Sequence, residues 1–236
     1  MAIVQVPNFP ECSHPLIRSL SHYSDQELLT LFQRHPEAGQ YFTAIFCRYS
    51  PLVYTLIRHS ARSPVQADYL FAMTWRHIYH ELGGLDLYEP GRERPAGAEG
   101  GAAQMTLQSW LINITAVCIN RAELPPVEDI HYSLDHTSPP LWCYVDQALE
   151  QLPPTRRLIV LLSHTFHWSD TRISAYLQAE GDMLTPTTVR AEFQKGCQQL
   201  EDLLPVDIRT IYLDGGTARL KDALDASSAA ADLQVD

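Results

Sequence analysis

The residue types that could carry metal or redox chemistry are scattered along the chain. The five cysteines are Cys12, Cys47, Cys118, Cys143 and Cys197. None belongs to a CxxC pair or to a Cys/His cluster at zinc-ligand spacing, so we expect buried free thiols rather than a metal site or a disulfide framework. His164 and His167 are three residues apart on a predicted helix, but no third ligand is near in sequence. We therefore expect exposed or capped histidines and no metal.

Motifs for catalysis are absent from the sequence. It contains no glycine-rich phosphate loop, no GxSxG turn, no HExxH helix and no Cys/His pair supported by a third group. The sequence thus predicts a protein that is not an enzyme and that needs no cofactor.

Two tryptophans and two arginines are candidates for contact with nucleic acid. Trp75 and Trp110 could stack on an unpaired base, but both lie on apolar faces of predicted helices, which favours core packing. Arg92 and Arg94 stand in a segment rich in glycine, alanine and proline. We expect them to be solvent-facing linker charges rather than DNA contacts.

Composition restricts the partners further. The net charge of -11 over 236 residues argues against indiscriminate binding to phosphates, so any DNA contacts must be local and few. No apolar run approaches the ~20 residues of a membrane span, and the first residues lack the pattern of a signal peptide. These features predict a cytoplasmic protein without membrane contact.

The elements that position these residues are all predicted to be helices. After an N-terminal extension at 1–23, the first domain covers 24–124, with a capping box at Ser24 and Glu27 and breaks at Pro36 and Pro51. A helix starts near Pro64 and ends at the paired glycines 83–84. A mobile loop is expected at 83–104, and another helix follows before residue 125.

Proline-rich residues 125–144 are predicted to be a flexible linker to a second small domain. That domain, 145–204, has four predicted helices, at 145–152, 154–166, 169–178 and 185–204. An acidic tail at 205–236 is expected to be disordered. The fold class predicted is all-α, with two small helical domains and a helix-turn-helix in the second.

The second domain resembles the fourth conserved region of bacterial sigma factors of the extracytoplasmic-function type. The resemblance rests on the Leu152–Pro154 stop, the apolar helix after it, Ile173 in a scaffold helix, and Thr188-Val189 opening the next helix. It implies that a recognition helix enters the major groove of DNA. The residues it assigns to DNA are Thr187, Thr188, Arg190, Gln194 and Lys195, and those it assigns to the core are Val189, Phe193 and Leu200.

The first domain resembles, more weakly, the second conserved region of the same family, which grips the polymerase clamp. This resemblance implies core RNA polymerase as a partner, promoter DNA as a second partner and an anti-sigma factor as a possible third. The residues it assigns to polymerase binding are Asp68, Leu70 and Arg76.

Two features depart from the family. The predicted recognition helix carries Arg190 and Lys195 against three acidic residues, a net charge of -1, and the turn at 179–184 is longer than the family's. The acidic helix favours an alternative, a sigma-like adaptor that acts through protein contacts without reading promoters. A third reading is a helix-turn-helix repressor with an all-α sensor domain.

Overall fold

A computed structural model describes residues 6–87, 105–130, 132–134, 137–164 and 166–213. Over these ranges the chain is helical and contains no β-strand, which confirms the all-α prediction. It divides into two compact units, the first formed by Met1–Pro36 and Tyr41–Leu124, the second by Glu37–Gln40 and Pro125–Asp236. Within the described ranges no helix has the length and apolar character needed to cross a membrane.

Over its described residues, the first unit contains five α-helices. They are α1 (Pro15–Arg18), α2 (Asp25–Arg34), α3 (Gly39–Ser60), α4 (Pro64–Leu82) and α5 (Leu107–Arg121), and the first two residues of α3 belong to the second unit. The capping box predicted at the start of α2 is confirmed, since Ser24 and Glu27 exchange hydrogen bonds. The helix predicted from Pro64 is also confirmed. It is followed by a turn at 83–84, and Trp75 is fully buried in the core as expected.

The break predicted at Pro51 is wrong. Pro51 lies inside α3, although a proline removes one backbone hydrogen bond and costs a helix about 3 kcal/mol. The proline ring itself is exposed, while Phe46 before it and Val53 and Ile57 after it are fully buried. Because apolar packing on both sides of Pro51 holds the two halves of the helix, the local penalty does not end it.

The described part of the N-terminal segment at 1–23 packs on α3 within the first unit. Phe9 is buried, with its ring centroid 4.8 Å from that of Phe46, and Ile17 and Leu20 are buried too. Cys12 and Cys47 form a disulfide, so the prediction of free thiols is wrong for these two residues. The other three cysteines form no disulfide, but only Cys143 is buried as predicted, while Cys118 and Cys197 are half-buried. Singly spaced cysteines give no sign of a partner 35 residues away.

The described part of the second unit contains five more α-helices. They are α6 (Pro139–Gln151), α7 (Pro154–His164), α8 (Asp170–Ala179), α9 (Pro186–Leu203) and α10 (Val206–Tyr212). The range 125–144, predicted as a flexible linker, ends in the first six residues of α6, all of which are buried. The Trp142 ring in this stretch stacks on the Tyr132 ring, with the centroids 5.3 Å apart. The prediction of a flexible linker, made from composition, is therefore wrong for this apolar helix start, which contains two prolines.

The tail predicted to be disordered from residue 205 begins with α10. Ile208, Ile211 and Tyr212 of this helix are buried, and α10 packs on α6. The Asp207 carboxylate accepts the backbone N–H groups of Gly39 and Gln40, which belong to the same unit. Residues 214–236 lie outside the described residues, as do 88–104, which hold most of the predicted mobile loop together with Arg92 and Arg94.

Candidate nucleic-acid interface

Helices α7, α8 and α9 pack around one small hydrophobic core in the second unit. The core consists of the buried side chains Ile159, Leu162, Ile173, Leu177 and Val189. Helix α9 approaches α7 closely at Gly196, where a Cβ atom would lie 2.5 Å from Cγ2 of Val160. This glycine therefore sets the distance between the two helices, and with it the placement of the outer face of α9.

The turn between α8 and α9 is fixed by backbone geometry. Gly181 has φ of 102°, a conformation that favours glycine, and its N–H donates to the Gln178 carbonyl at 3.2 Å. The N–H of Asp182 donates to the Leu177 carbonyl at 2.8 Å. These two bonds form the Schellman motif, which closes the carboxyl end of a helix.

Side chains hold the far end of the same turn. The buried Ser174 hydroxyl donates to the Leu184 carbonyl at 2.6 Å, and the Gln178 side-chain amide donates to the same oxygen at 3.2 Å. The longer turn anticipated from the sequence is thus ordered at both ends. Met183 at its tip is 84% exposed and contributes nothing to that order.

A side chain caps the start of α9. Thr185 is the N-cap residue, its hydroxyl accepts the N–H of Thr188 at 3.2 Å, and Pro186 occupies the first helical position. The hydroxyls of Thr187 and Thr188 lie 2.9 and 2.8 Å from the Thr185 hydroxyl. The first turn of α9 thus presents three linked hydroxyl groups.

The five residues assigned to DNA by resemblance lie away from the core. Thr187, Arg190, Gln194 and Lys195 are exposed and Thr188 is half-buried, as recorded along α9. The three residues assigned to the core also lie as expected: Val189 and Leu200 are fully buried, and Phe193 is partly buried against the core cluster. The two groups of residues therefore occupy opposite sides of one helix.

The centre of the exposed side is neutral. At ~100° per residue, Thr187, Ala191, Gln194 and Gln198 fall within about 60° of one another, with Arg190 and Lys195 at the two flanks. Ala191 and Gln198 are exposed members of this face that were not predicted to contact DNA. The helical period of the sequence contained the signal for both.

The two flanking cations are engaged in ion pairs within the second unit. Arg190 Nε lies 2.9 Å from Asp170 Oδ2 on α8, and Lys195 Nζ lies 2.9 Å from Glu192 Oε1. Glu192 also accepts Arg156 from α7, at 2.9 Å from Nε and 2.6 Å from Nη2. Hydrogen bonds from Lys195 and from Arg156 lower the pKa of the Glu192 carboxyl below its ordinary value of 4.5.

A cation on the scaffold helix was also missed from sequence. The Arg172 guanidinium carbon lies 3.9 Å from the centroid of the Trp168 ring, a cation–π contact at the surface. Tyr176, one turn further along α8, is exposed and its ring lies 5.8 Å from that of Trp168. The helical period of α8 predicts that Arg172 and Tyr176, four residues apart, lie on one face. Trp168 lies in the loop before the helix, and only the fold brings its ring to these two side chains.

The three residues assigned to polymerase binding do not share one environment. Leu70 is buried in the core of the first unit, so it cannot belong to a binding surface of the folded chain, and its assignment is corrected. Asp68 is half-buried and accepts the Tyr54 hydroxyl at 2.9 Å. Burial is the larger cause and the hydrogen bond to Asp68 the next, and together they raise the pKa of Tyr54 to about 12. Arg76 is half-buried.

The two histidines weighed as a metal pair lie on different local structures. His164 is in the last turn of α7, and its ring is 6.3 Å from that of Phe193. His167 is exposed in the following loop, with φ of 50°. Among the residues that the structure describes, no three His, Cys, Asp or Glu side chains are grouped to hold a metal ion.

The described geometry defines an all-helical protein whose second unit presents a helix, an ordered turn and a helix with a polar outer face. No protein-family model, curated protein or solved structure matches the chain.

Proposed function

We propose that this chain is a sigma factor-like transcription initiation protein, which binds core RNA polymerase and directs it to promoter DNA. The observation that carries the proposal is the two-sided character of α9. Its inner side, with Val189, Gly196 and Leu200, is buried against the other helices, and its outer side is polar. A helix presented in this way, after an ordered turn, suits the major groove of DNA.

The chemistry of the outer side fits recognition of bases better than attraction to phosphates. Glutamine side chains at the centre of the face, Gln194 and Gln198, suit bidentate hydrogen bonds to adenine, and Arg190 at the flank suits guanine. Such a bidentate contact discriminates by about 1–3 kcal/mol. With two cations on the face, the salt dependence of affinity would have a slope of only about -2.

Breaking the ion pairs of the two flanking cations would cost DNA binding little free energy. To contact DNA, Arg190 must leave Asp170 and Lys195 must leave Glu192. Exposed pairs of this kind contribute about 0–1 kcal/mol each. The side chains of Arg190 and Lys195 are 72% and 63% exposed. We therefore expect a bidentate base contact of about 1–3 kcal/mol to offset the loss of the Arg190 pair.

The polymerase-binding surface is proposed on α4 of the first unit. Asp68 and Arg76 are the two partly exposed members of the implied set, two turns apart on that helix, and Leu70 supports the helix from the core. Substituting Arg76→Glu reverses a charge without altering a buried apolar side chain, and a circular dichroism spectrum of the variant checks that the fold is kept.

The alternative is a sigma-like adaptor that contacts polymerase or another regulator and reads no promoter. The observation that favours it is the neutralisation of the recognition helix, because both of its cations are paired with acids of the same unit. Both proposals allow polymerase binding, and they differ in whether α9 contacts DNA.

The experiment that separates them uses the full chain reconstituted with core RNA polymerase. DNA is selected from a random library by the complex, and binding of the selected DNA is followed by fluorescence anisotropy across a salt series. We expect Arg190→Ala to relax specificity at one position by about 1–3 kcal/mol and Lys195→Ala to weaken all sequences and reduce the salt slope by about one.

Arg62→Ala in the first unit is the matched control, since it removes one exposed arginine far from α9 in sequence. If neither α9 variant changes DNA binding at any salt while polymerase is retained, promoter reading fails and the adaptor remains. If the unaltered chain does not bind core polymerase, the proposal of a transcription initiation protein fails.

A further inference from the structure

A pocket of about 430 Å³ lies beside the Cys12–Cys47 disulfide in the first unit. Both cysteines line the pocket and both are half-buried, so the sulfur pair borders a space open to solvent. The volume falls in the ~300–1,000 Å³ range of small-molecule sites. A small thiol can therefore reach the disulfide without unfolding the unit.

The lining of the pocket also carries positive charge. Arg18 and Arg48 both line it, together with Ser21. The Arg48 guanidinium lies 2.6 Å from Asp25 and also donates to the Tyr23 carbonyl, so most of its charge is offset. Arg18 is exposed, and its side chain makes no hydrogen bond or ion pair with any residue that the structure describes. Among the described residues, Arg18 is therefore the lining arginine whose side-chain charge no acidic side chain offsets.

We propose that this pocket binds a small anionic thiol and that Cys12–Cys47 is the site of its thiol–disulfide exchange. This is a modification site separate from the proposed contacts with DNA and polymerase, and it does not depend on them. A carboxylate or sulfonate on the thiol would be held by Arg18 while its sulfur faces the disulfide.

The exchange proceeds in two steps. The thiolate attacks one cysteine sulfur, a new sulfur–sulfur bond forms to the small molecule, the protein disulfide breaks, and the other cysteine leaves as a thiolate that takes a proton from water. A second thiolate then attacks the sulfur of the small molecule in the mixed disulfide, which releases the small-molecule disulfide and the second cysteine thiolate. The protein gains two electrons and two molecules of thiol lose them.

The charge of the incoming thiol should set its rate. A sphere of 430 Å³ is about 9 Å across, and at that separation in water a single charge changes the local concentration of a monovalent ion roughly twofold at low ionic strength. An anionic thiol should thus react about twice as fast as a neutral one and a cationic thiol about half as fast. The expected ratio of anionic to cationic rates is roughly fourfold.

The test compares mercaptoethanesulfonate, 2-mercaptoethanol and cysteamine on the full-length oxidised chain at low ionic strength. Mixed disulfide is followed by intact mass, and each rate is divided by the thiolate concentration and by the rate with a neutral reference disulfide. We expect an anionic-to-cationic ratio of about 4 in the unaltered chain, about 1 in Arg18→Gln and below 1 in Arg18→Glu. Arg18→Lys should retain the unaltered ratio.

Arg62→Gln, which removes an exposed arginine that does not line the pocket, should leave the ratio unchanged. Because Arg18 is exposed, its variants should keep the unaltered circular dichroism spectrum. A ratio that is the same in the unaltered chain and in Arg18→Glu overturns the proposal. A rate ratio that falls as much in Arg62→Gln as in Arg18→Gln also overturns it. So does the finding of five reactive thiols in the denatured, unreduced protein, because the disulfide would then be absent.

Discussion

The contact between Gly196 on α9 and Val160 on α7 allows the packing of the candidate interface to be tested by a single methyl group. In an exposed helix, Gly→Ala stabilises by about 1 kcal/mol, because alanine has the higher helix propensity. Here the added Cβ would lie 2.5 Å from Val160 Cγ2 and 3.1 Å from Arg156 Cγ. Val160 is fully buried and cannot move aside, so overpacking of about 1–3 kcal/mol opposes the gain. We expect Gly196→Ala to destabilise the chain by up to about 2 kcal/mol, which is the overpacking cost less the gain in helix propensity.

Urea unfolding followed by circular dichroism measures this change. With a denaturant dependence of about 2 kcal/mol per molar, the midpoint should fall by up to about 1 M. Gly84→Ala is the matched control, since its Cβ would meet nothing within 4 Å, and its midpoint should stay level or rise. The double variant Gly196→Ala with Val160→Ala should be more stable than the sum of the single effects. A rise in midpoint for Gly196→Ala would show that α7 and α9 are not packed as described.

Three further predictions concern the disulfide, the turn and the ion pairs. Cys12→Ser with Cys47→Ser should lower the free energy of unfolding of the first unit by about 4 kcal/mol, because the disulfide closes a loop of 35 residues, and no change in the urea midpoint would contradict this. Gly181→Ala should cost about 1–2 kcal/mol, since the positive φ suits glycine, and a thermal melt that matches the unaltered chain would count against the Schellman turn. The lowered pKa of Glu192 means that its ion pairs stabilise the fold above pH 4.5, and that this contribution is lost as the pH falls through the lower folded value. Glu192→Gln should therefore reduce stability at pH 7 and match the unaltered chain near pH 2 in chemical unfolding, whereas an equal difference at both pH values would rule out the pairing.

Local patterns in the sequence were enough to predict most helices of both units. The bonds that start α2 and α9 join residues no more than three positions apart, so a single stretch of sequence contains both partners of each cap. The helical period likewise separated the core side of α9 from its outer side. Predictions failed where tertiary packing outweighed a local sequence rule. A proline did not end α3, two prolines opened the buried start of α6 instead of a linker, and the short apolar helix α10 had been predicted to be part of a disordered tail.

What the sequence by itself determined was the all-helical class, the caps, and which side of α9 faces outward, since each depends on residues within one or two helical turns. The tertiary structure alone decided which residues meet across long separations. Cys12 pairs with Cys47, and Arg156 on α7 reaches Glu192 on α9, 36 positions away. It also decided that the flanking cation Arg190 is paired with Asp170, 20 positions earlier. Such contacts depend on how helices pack, and a periodic pattern in one helix carries no information about the partner that another helix brings to it.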